Sequence, residues 1–360
     1  MVGLILATAI PVSITVGANA RYDAALDART DAAQELQTAL EHLDSITPIA
    51  ANHVVIANDT LAAAADGYVG AEQRSALASA RDALAIAFDA EAGFDATVPT
   101  VRERPSGVPE LDAAAAELTD DIPELTAALT ALAPVSADLA EQTLAVSAAG
   151  DALIATVVPN AEALLAVNYS AANLVHIDYV SMVDNLPASL IWGDELAPAL
   201  ASYFTAAQAL QASNASEEAQ KAGPLYAQRV AVEAFARSIA GGVLLDFDWA
   251  PVVNGYGGGL SYGGMSTWNT APPGYSTMTL SNSVAGLWGV NSAVASLVAH
   301  EVGHSITSKC YDLFRTSFAS QDEVWATAWA IGLGYSEGGS GESIYGRPSD
   351  EQIALSTQCR

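Results

Sequence analysis

Five histidines occur in this 360-residue chain, and two of them stand four positions apart in VASLVAHEVGHSITSKC, residues 294–310. On a helix, positions i and i+4 lie on one face. His300 and His304 can therefore turn ring nitrogens to a single point, about 2.0–2.1 Å from each, as a zinc ion requires. Glu301 projects one residue round from His300, too far to join as a ligand but within reach of water that such an ion polarises. A carboxylate placed there can take the proton as hydroxide attacks a carbonyl carbon. With 5 His and 19 Glu in 360 residues, chance yields this spacing roughly 0.004 times per chain. The flanking SAVASLVA is apolar, so the helix would bury all three side chains. Unpartnered, each buried polar group costs about 1–3 kcal/mol, and one cation satisfies them together. The alternative is a helix that turns these residues to solvent. Zn2+ is the cofactor this pattern predicts.

Two histidines leave a tetrahedral centre incomplete. A catalytic zinc takes a third protein ligand and keeps one position for water. A histidine at 310 would serve, but that position is Cys310, and Thr307 stands where such a motif needs glycine. The next stretch, SQDEVWATAWAIG (320–332), offers Glu323, 19 residues past His304, with Asp322 as its nearest competitor. Ala326, Ala328 and Ala330 allow close packing against the first helix, where Ala299 and Gly303 are equally slim. Ser320 and Glu323 also read as a capping box, in which the glutamate only closes the helix start. Glu337 and Glu342 lie in glycine-rich loop, where ligand geometry is hard to hold.

HEVGH followed by a glutamate on the next helix resembles the gluzincin zinc metallopeptidases, particularly their minimal, compact forms. EVWATAWA (323–330) is similar to the E-x-x-A-D-x-x-A helix of that family, and the likeness spans roughly residues 240–335. The resemblance implies a zincin-like catalytic domain that hydrolyses a peptide or protein substrate. It assigns His300, His304 and Glu323 as zinc ligands and Glu301 as the general base. Thr327 departs from the pattern: the family often has an aspartate there that orients a ligand histidine, and a threonine would do so more weakly. YSTMTLSNSV (275–284) resembles the edge strand that lines the family's cleft and binds peptide by strand addition. Tyr275, Tyr335, Tyr345 and Arg347 are the candidates to donate a hydrogen bond to a transition-state oxyanion.

The elements that must carry these residues follow from composition. About half the chain is apolar, and 41 acids against 13 bases give a net charge of −28. Residues 1–222 hold 30 acids and 7 bases, and residues 223–360 hold 11 and 6. Phosphate is repelled by both parts, which argues against nucleic acid or an anionic membrane surface as a partner. Residues 21–222 are rich in Ala, Leu, Asp and Glu. Ala33, Leu36, Leu40 and Leu43, and again Leu111 to Leu132, alternate steps of three and four, the seam of an acidic helical bundle or coiled coil. No fixed-period repeat is evident. Pro99, Pro105, Pro109, Pro123 and Pro134 predict several helices rather than one, with a bend at 98–110. His42, His53 and His176 have no partner at ligand spacing.

From residue 223 the texture changes. Leu225–Ile239 reads as helix, then GGVLLDFDW, GGGLSYGGMSTW and YSTMTLSNSV bring strand and hairpin signals. Helices are predicted from Asn291, from Gln321 to Ile331, and from Ser349 with Gln352 as capping-box partner. A break is expected at Tyr311–Ser320 and a glycine-rich loop at Gly332–Gly341. The fold class is thus α+β: a mainly helical acidic region (21–222) followed by a compact domain (223–360) with a small sheet and an active-site helix.

Residues 1–20 contain no charge and match a signal peptide with a cleavage site at Ala18–Ala20, or a membrane anchor over residues 2–20. A buried helix is the remaining reading. Cys310 and Cys359, the only cysteines, predict one intramolecular disulfide in an oxidising compartment. The function expected is an exported, secreted or anchored zinc metallopeptidase. The alternative is a catalytically inactive metal-binding or coiled-coil protein of the cell envelope, acting as a surface adaptor.

Overall fold

The structure is a computed structural model that describes residues 9–359. The chain is mostly helical with one small mixed sheet, an α+β protein. Five helices come first: α1 (Ala9–Ala63), α2 (Ala71–Ala92), α3 (Val108–Val167), α4 (Asn173–Asn185) and α5 (Leu196–Gln220). Residues 1–8 of the predicted signal or anchor segment lie outside the described residues, and 9–20 open α1.

The described residues form two compact units, one running to Asn160 with Leu186–Ser202, the other comprising Ala161–Asn185 and Tyr203 onward. In the first unit the buried positions of α3 recur every seven residues: Leu111, Leu118, Leu125, Leu132, Leu139, Val146 and Leu153. Tyr22, Arg29, Leu36, Leu43, Ala50 and Ala57 do the same on α1. This seven-residue period, the seam expected from the steps of three and four, is that of helices packed along one stripe and runs along most of both helices. Arg29 is the one charge in the stripe. It stays buried because its guanidinium pairs with Asp121 at 3.1 Å and donates to the Pro99 carbonyl.

Pro123, Pro134 and Pro159 lie inside α3, and Pro48 lies inside α1, so the predicted breaks at 123 and 134 do not occur. An interior proline costs about 3 kcal/mol. Each buried leucine contributes about 1.5–3 kcal/mol, and the stripe places one every seven residues on both sides of each proline. Packing wins. Pro99 and Pro105 do fall between helices, in the predicted bend, and Pro109 sits in the first turn of α3, where its missing N–H costs nothing. By length and composition alone, α3 could also cross a membrane.

The second unit continues with α6 (Tyr226–Ile239), β1 (Leu244–Ala250), β2 (Gly264–Asn269) and β3 (Tyr275–Ser281). It ends with α7 (Asn282–Leu287), α8 (Ser292–Ile306), α9 (Tyr311–Ser317), α10 (Asp322–Gly332), α11 (Glu342–Tyr345) and α12 (Asp350–Ser356). The predicted boundary at 222/223 falls inside this unit. Asn173 at the start of α4 donates to Asp246 on β1 (2.9 Å) and to the Ser276 carbonyl on β3 (2.8 Å). Lys221, buried after α5, donates to Glu233 on α6 (2.8 Å) and to Ser170 (2.8 Å). These polar ties cross the composition change at 223.

The sheet order is β1-β3-β2, with β1 parallel and β2 antiparallel to β3. The stretch that resembled an edge strand is therefore the central one. Its alternate residues Ser276, Met278 and Leu280 are buried, and it is hydrogen-bonded on both sides. The edge beside α8 is β2. One face of the sheet and helices α6, α8 and α10 enclose a core that includes Phe247, Met278, Val298, Val302, Trp325 and Trp329. Cys310 and Cys359 are disulfide-bonded, Cα atoms 6.1 Å apart, which ties the C-terminus to the end of α8. Ser349 and Gln352 form the expected capping box of α12, whereas α9 fills the predicted break.

The stripe on α3 predicts a contrast. Leu132→Ala, at a fully buried position, should lower stability by about 2–5 kcal/mol in urea unfolding. Leu144→Ala, 71% exposed on the same helix, should change it by less than about 0.5 kcal/mol. Equal effects would contradict the seam.

Candidate metal centre

Asn291 caps α8 by accepting from the Ala293 N–H at 3.0 Å, so the helix that carries His300, Glu301 and His304 starts about two and a half turns upstream of them. All three are buried at 4–6% exposure. Helix α10 crosses α8 at Gly303, where a Cβ would stand 2.8 Å from Ala326 Cα, so only glycine permits this approach. Trp325 Nε1 donates to the Gly303 carbonyl at 2.8 Å and locks the crossing.

That approach brings the first turn of α10 to the histidines. Glu323 Oε2 lies 3.1 Å from His300 Nε2 and 3.5 Å from His304 Nε2, and the two Nε2 atoms are 3.1 Å apart. Glu323 closes no helix start: Gln321 is the N-cap of α10, with no side-chain cap bond. Asp322, the competing ligand, lies instead at the far side of the His304 ring, its Oδ1 3.0 Å from Nδ1. The contact is of ion-pair length but bent outside hydrogen-bond geometry.

The tautomers follow from these partners. His300 Nδ1 faces the Ser340 carbonyl at 3.0 Å, and a carbonyl can only accept, so Nδ1 carries a hydrogen and Nε2 is the nitrogen that can give a lone pair to a cation. Two imidazole nitrogens and a carboxylate oxygen converge on one point, where a cation would replace the protons they otherwise share. A tetrahedral ion with ligands about 2.0–2.1 Å away would place those ligand atoms about 3.3 Å from one another. The observed 3.1, 3.1 and 3.5 Å match that triangle. The donor set is the one zinc takes in catalytic sites.

Electrostatics point the same way. Burial opposes a charge on His304, but Asp322, Glu323 and Glu301 outweigh it and raise its pKa to about 10. Burial also raises the Glu323 carboxyl, yet its hydrogen bonds to His300 and His304 hold it well below the usual carboxylate range. The centre of the triangle calls for positive charge.

Glu301 points to the other side of α8, toward β2. Ser266 Oγ donates to its Oε2 at 3.2 Å. Gly264 presses on the carboxylate: a Cβ there would meet Glu301 Cγ at 2.6 Å and Oε1 at 2.7 Å. Burial pushes the Glu301 carboxyl up, against the pull of His304, His300 and Ser266. His300 and Glu301 share a cavity of ≈ 150 Å³ with Tyr256, Tyr262, Leu297, Ile344 and Tyr345.

Of the four candidate oxyanion donors, the fold brings one to the site. The Tyr345 ring stacks on His300, centroids 6.0 Å apart and planes at 9°, and burial, then the nearby Glu323 charge, raise its hydroxyl pKa. Tyr335 packs edge-on against Phe235, Arg347 pairs with Glu342 and Asp350, and Tyr275 sits at the start of β3. Thr327 Oγ1 is buried and has no hydrogen-bond partner, so the expected orienting bond is not made. Ser266, Gly264 and Ser340 escaped sequence reading. The glycine runs around them signalled close backbone approach, but not to what.

Comparison with known proteins finds no matching family model, no matching curated protein and no matching solved structure.

Gly341 generates a test. Its φ is +88°, and a Cβ would meet Thr327 Oγ1 at 2.5 Å and the His300 ring at 2.8 Å. Gly346 has nearly the same φ (+87°) with nothing within 4 Å. By chelator competition, Gly341→Ala should weaken zinc binding about tenfold or more, while Gly346→Ala, which carries only the backbone strain, should stay near wild type. Equal losses would contradict the contact on His300.

Proposed function

We propose that this chain is an extracytoplasmic zinc-dependent hydrolase of peptide bonds. The observation that carries the reading is the convergence of His300 Nε2, His304 Nε2 and Glu323 Oε2, with buried Glu301 beside them at one cavity. The gluzincin resemblance of HEVGH and EVWATAWA supports it, and the disulfide supports an oxidising compartment.

In this reading His300, His304 and Glu323 hold the ion. When bound, it would polarise water and the substrate carbonyl. Glu301 accepts the proton of the attacking water as its oxygen adds to the carbonyl carbon. The same carboxyl then gives that proton to the leaving amine as the C–N bond breaks. Ser266 holds Glu301 in place, and burial of the carboxylate makes it a stronger base than one in water. Tyr345 turns its hydroxyl to the developing oxyanion. An extended substrate lies along β2, the edge strand beside α8, and adds backbone hydrogen bonds there.

Two measurements test this. Glu301→Gln should keep zinc and reduce hydrolysis of a proteome-derived peptide library by about 10²–10⁴-fold; full activity in that variant would refute the base assignment. Zinc at about 100 times its dissociation constant should stabilise the chain by about 2.7 kcal/mol, and a chelator should reverse the gain. An unmoved melting temperature would refute the metal site.

A further inference from the structure

We infer that Asp322 is the residue that positions His304 for the metal. The first turn of α10 then supplies both a ligand, Glu323, and the carboxylate that orients a ligand on the other helix. This deepens the metal reading above and rests on it.

An imidazole that offers Nε2 to a metal must carry its hydrogen on Nδ1, and the partner of that N–H fixes the ring's rotation. His304 is buried, so water does not supply the partner. Ser340 is spent on His300 Nδ1 at 3.0 Å. Glu323 faces Nε2. Among the described residues, the carboxylate that faces His304 Nδ1 is that of Asp322, its Oδ1 3.0 Å away in an ion-pair contact. Adjacent residues on a helix diverge by about 100°, which lets 322 and 323 reach opposite edges of one ring.

Position 327 lies on the other ligand's side. A Cβ at Gly341 would meet both Thr327 Oγ1 (2.5 Å) and the His300 ring (2.8 Å), so Thr327 stands beside His300, whose Nδ1 the Ser340 carbonyl already holds. Thr327 keeps a buried, unpaired hydroxyl. Asp322 is half exposed, so its position there avoids the desolvation cost of a buried acid.

The test compares zinc affinity, by competition with a chromophoric chelator, in wild type, Asp322→Ala, Asp322→Asn and Thr327→Ala. Melting temperatures of the metal-free proteins are measured alongside. Asp322→Ala should weaken zinc binding about 10–100-fold with the metal-free melting temperature unchanged. Asp322→Asn, which keeps an oxygen beside Nδ1 but not the charge, should recover part of the affinity. Thr327→Ala should bind like wild type. Wild-type affinity in Asp322→Ala, or a loss in Thr327→Ala as large as its own, overturns this inference and leaves the metal site standing. A loss shared by both Asp322 variants with lowered metal-free stability assigns Asp322 to the helix start and overturns it as well. Wild type that binds no zinc removes the metal reading itself.

Discussion

Two imidazole nitrogens and a carboxylate oxygen meet within 3.5 Å, an approach that needs positive charge among them, supplied by protons or by a cation. Much of the second unit holds this triangle together. The capped α8 stacks the two histidines, and the Gly303 crossing sets α10 at backbone contact distance. Trp325 then pins α10 through the Gly303 carbonyl. The loop after α10 returns with Ser340 and Tyr345, which fix His300 from its edge and its face. The disulfide closes the far end of the same assembly.

The site divides its labour by sides of α8. On the α10 side lie the three convergent atoms of His300, His304 and Glu323. On the sheet side, Gly264 and Ser266 of β2 clasp the Glu301 carboxylate, which is excluded from the triangle yet shares a cavity with His300. In the proposed reading, one turn of helix carries both the residues that hold a cation and the one that moves a proton. The sheet backs the α8 core through β3 and sets the β2 edge beside Glu301.

Local pattern made much of this legible. His300, Glu301 and His304 follow from helical geometry, and Glu323 from the need for a third ligand and the loop length available. Asn291, Ser349 and the disulfide also read directly from the residues. What escaped depends on contacts remote in sequence. Strand order is set by pairing partners, so residue types left YSTMTLSNSV open between a cleft-lining edge and an ordinary core strand, and it is the central, core strand. Prolines read as breaks in α3 because the seven-residue burial that overrides them is cumulative. The orienting groups escaped because one is a backbone carbonyl, and the other, Asp322, was weighed as a ligand. Thr327 was assigned an orienting role by resemblance alone, and the Ser340 carbonyl holds His300 instead.

The central claim is that His300, His304 and Glu323 bind one zinc ion. Zinc K-edge X-ray absorption on the purified full chain, with elemental analysis of the same sample, tests it most directly. The account predicts one zinc per chain, with two imidazole nitrogens and oxygen neighbours at about 2.0–2.2 Å. A sample free of zinc under metal-replete conditions, or a spectrum showing sulfur ligands or fewer than two imidazoles, would contradict it.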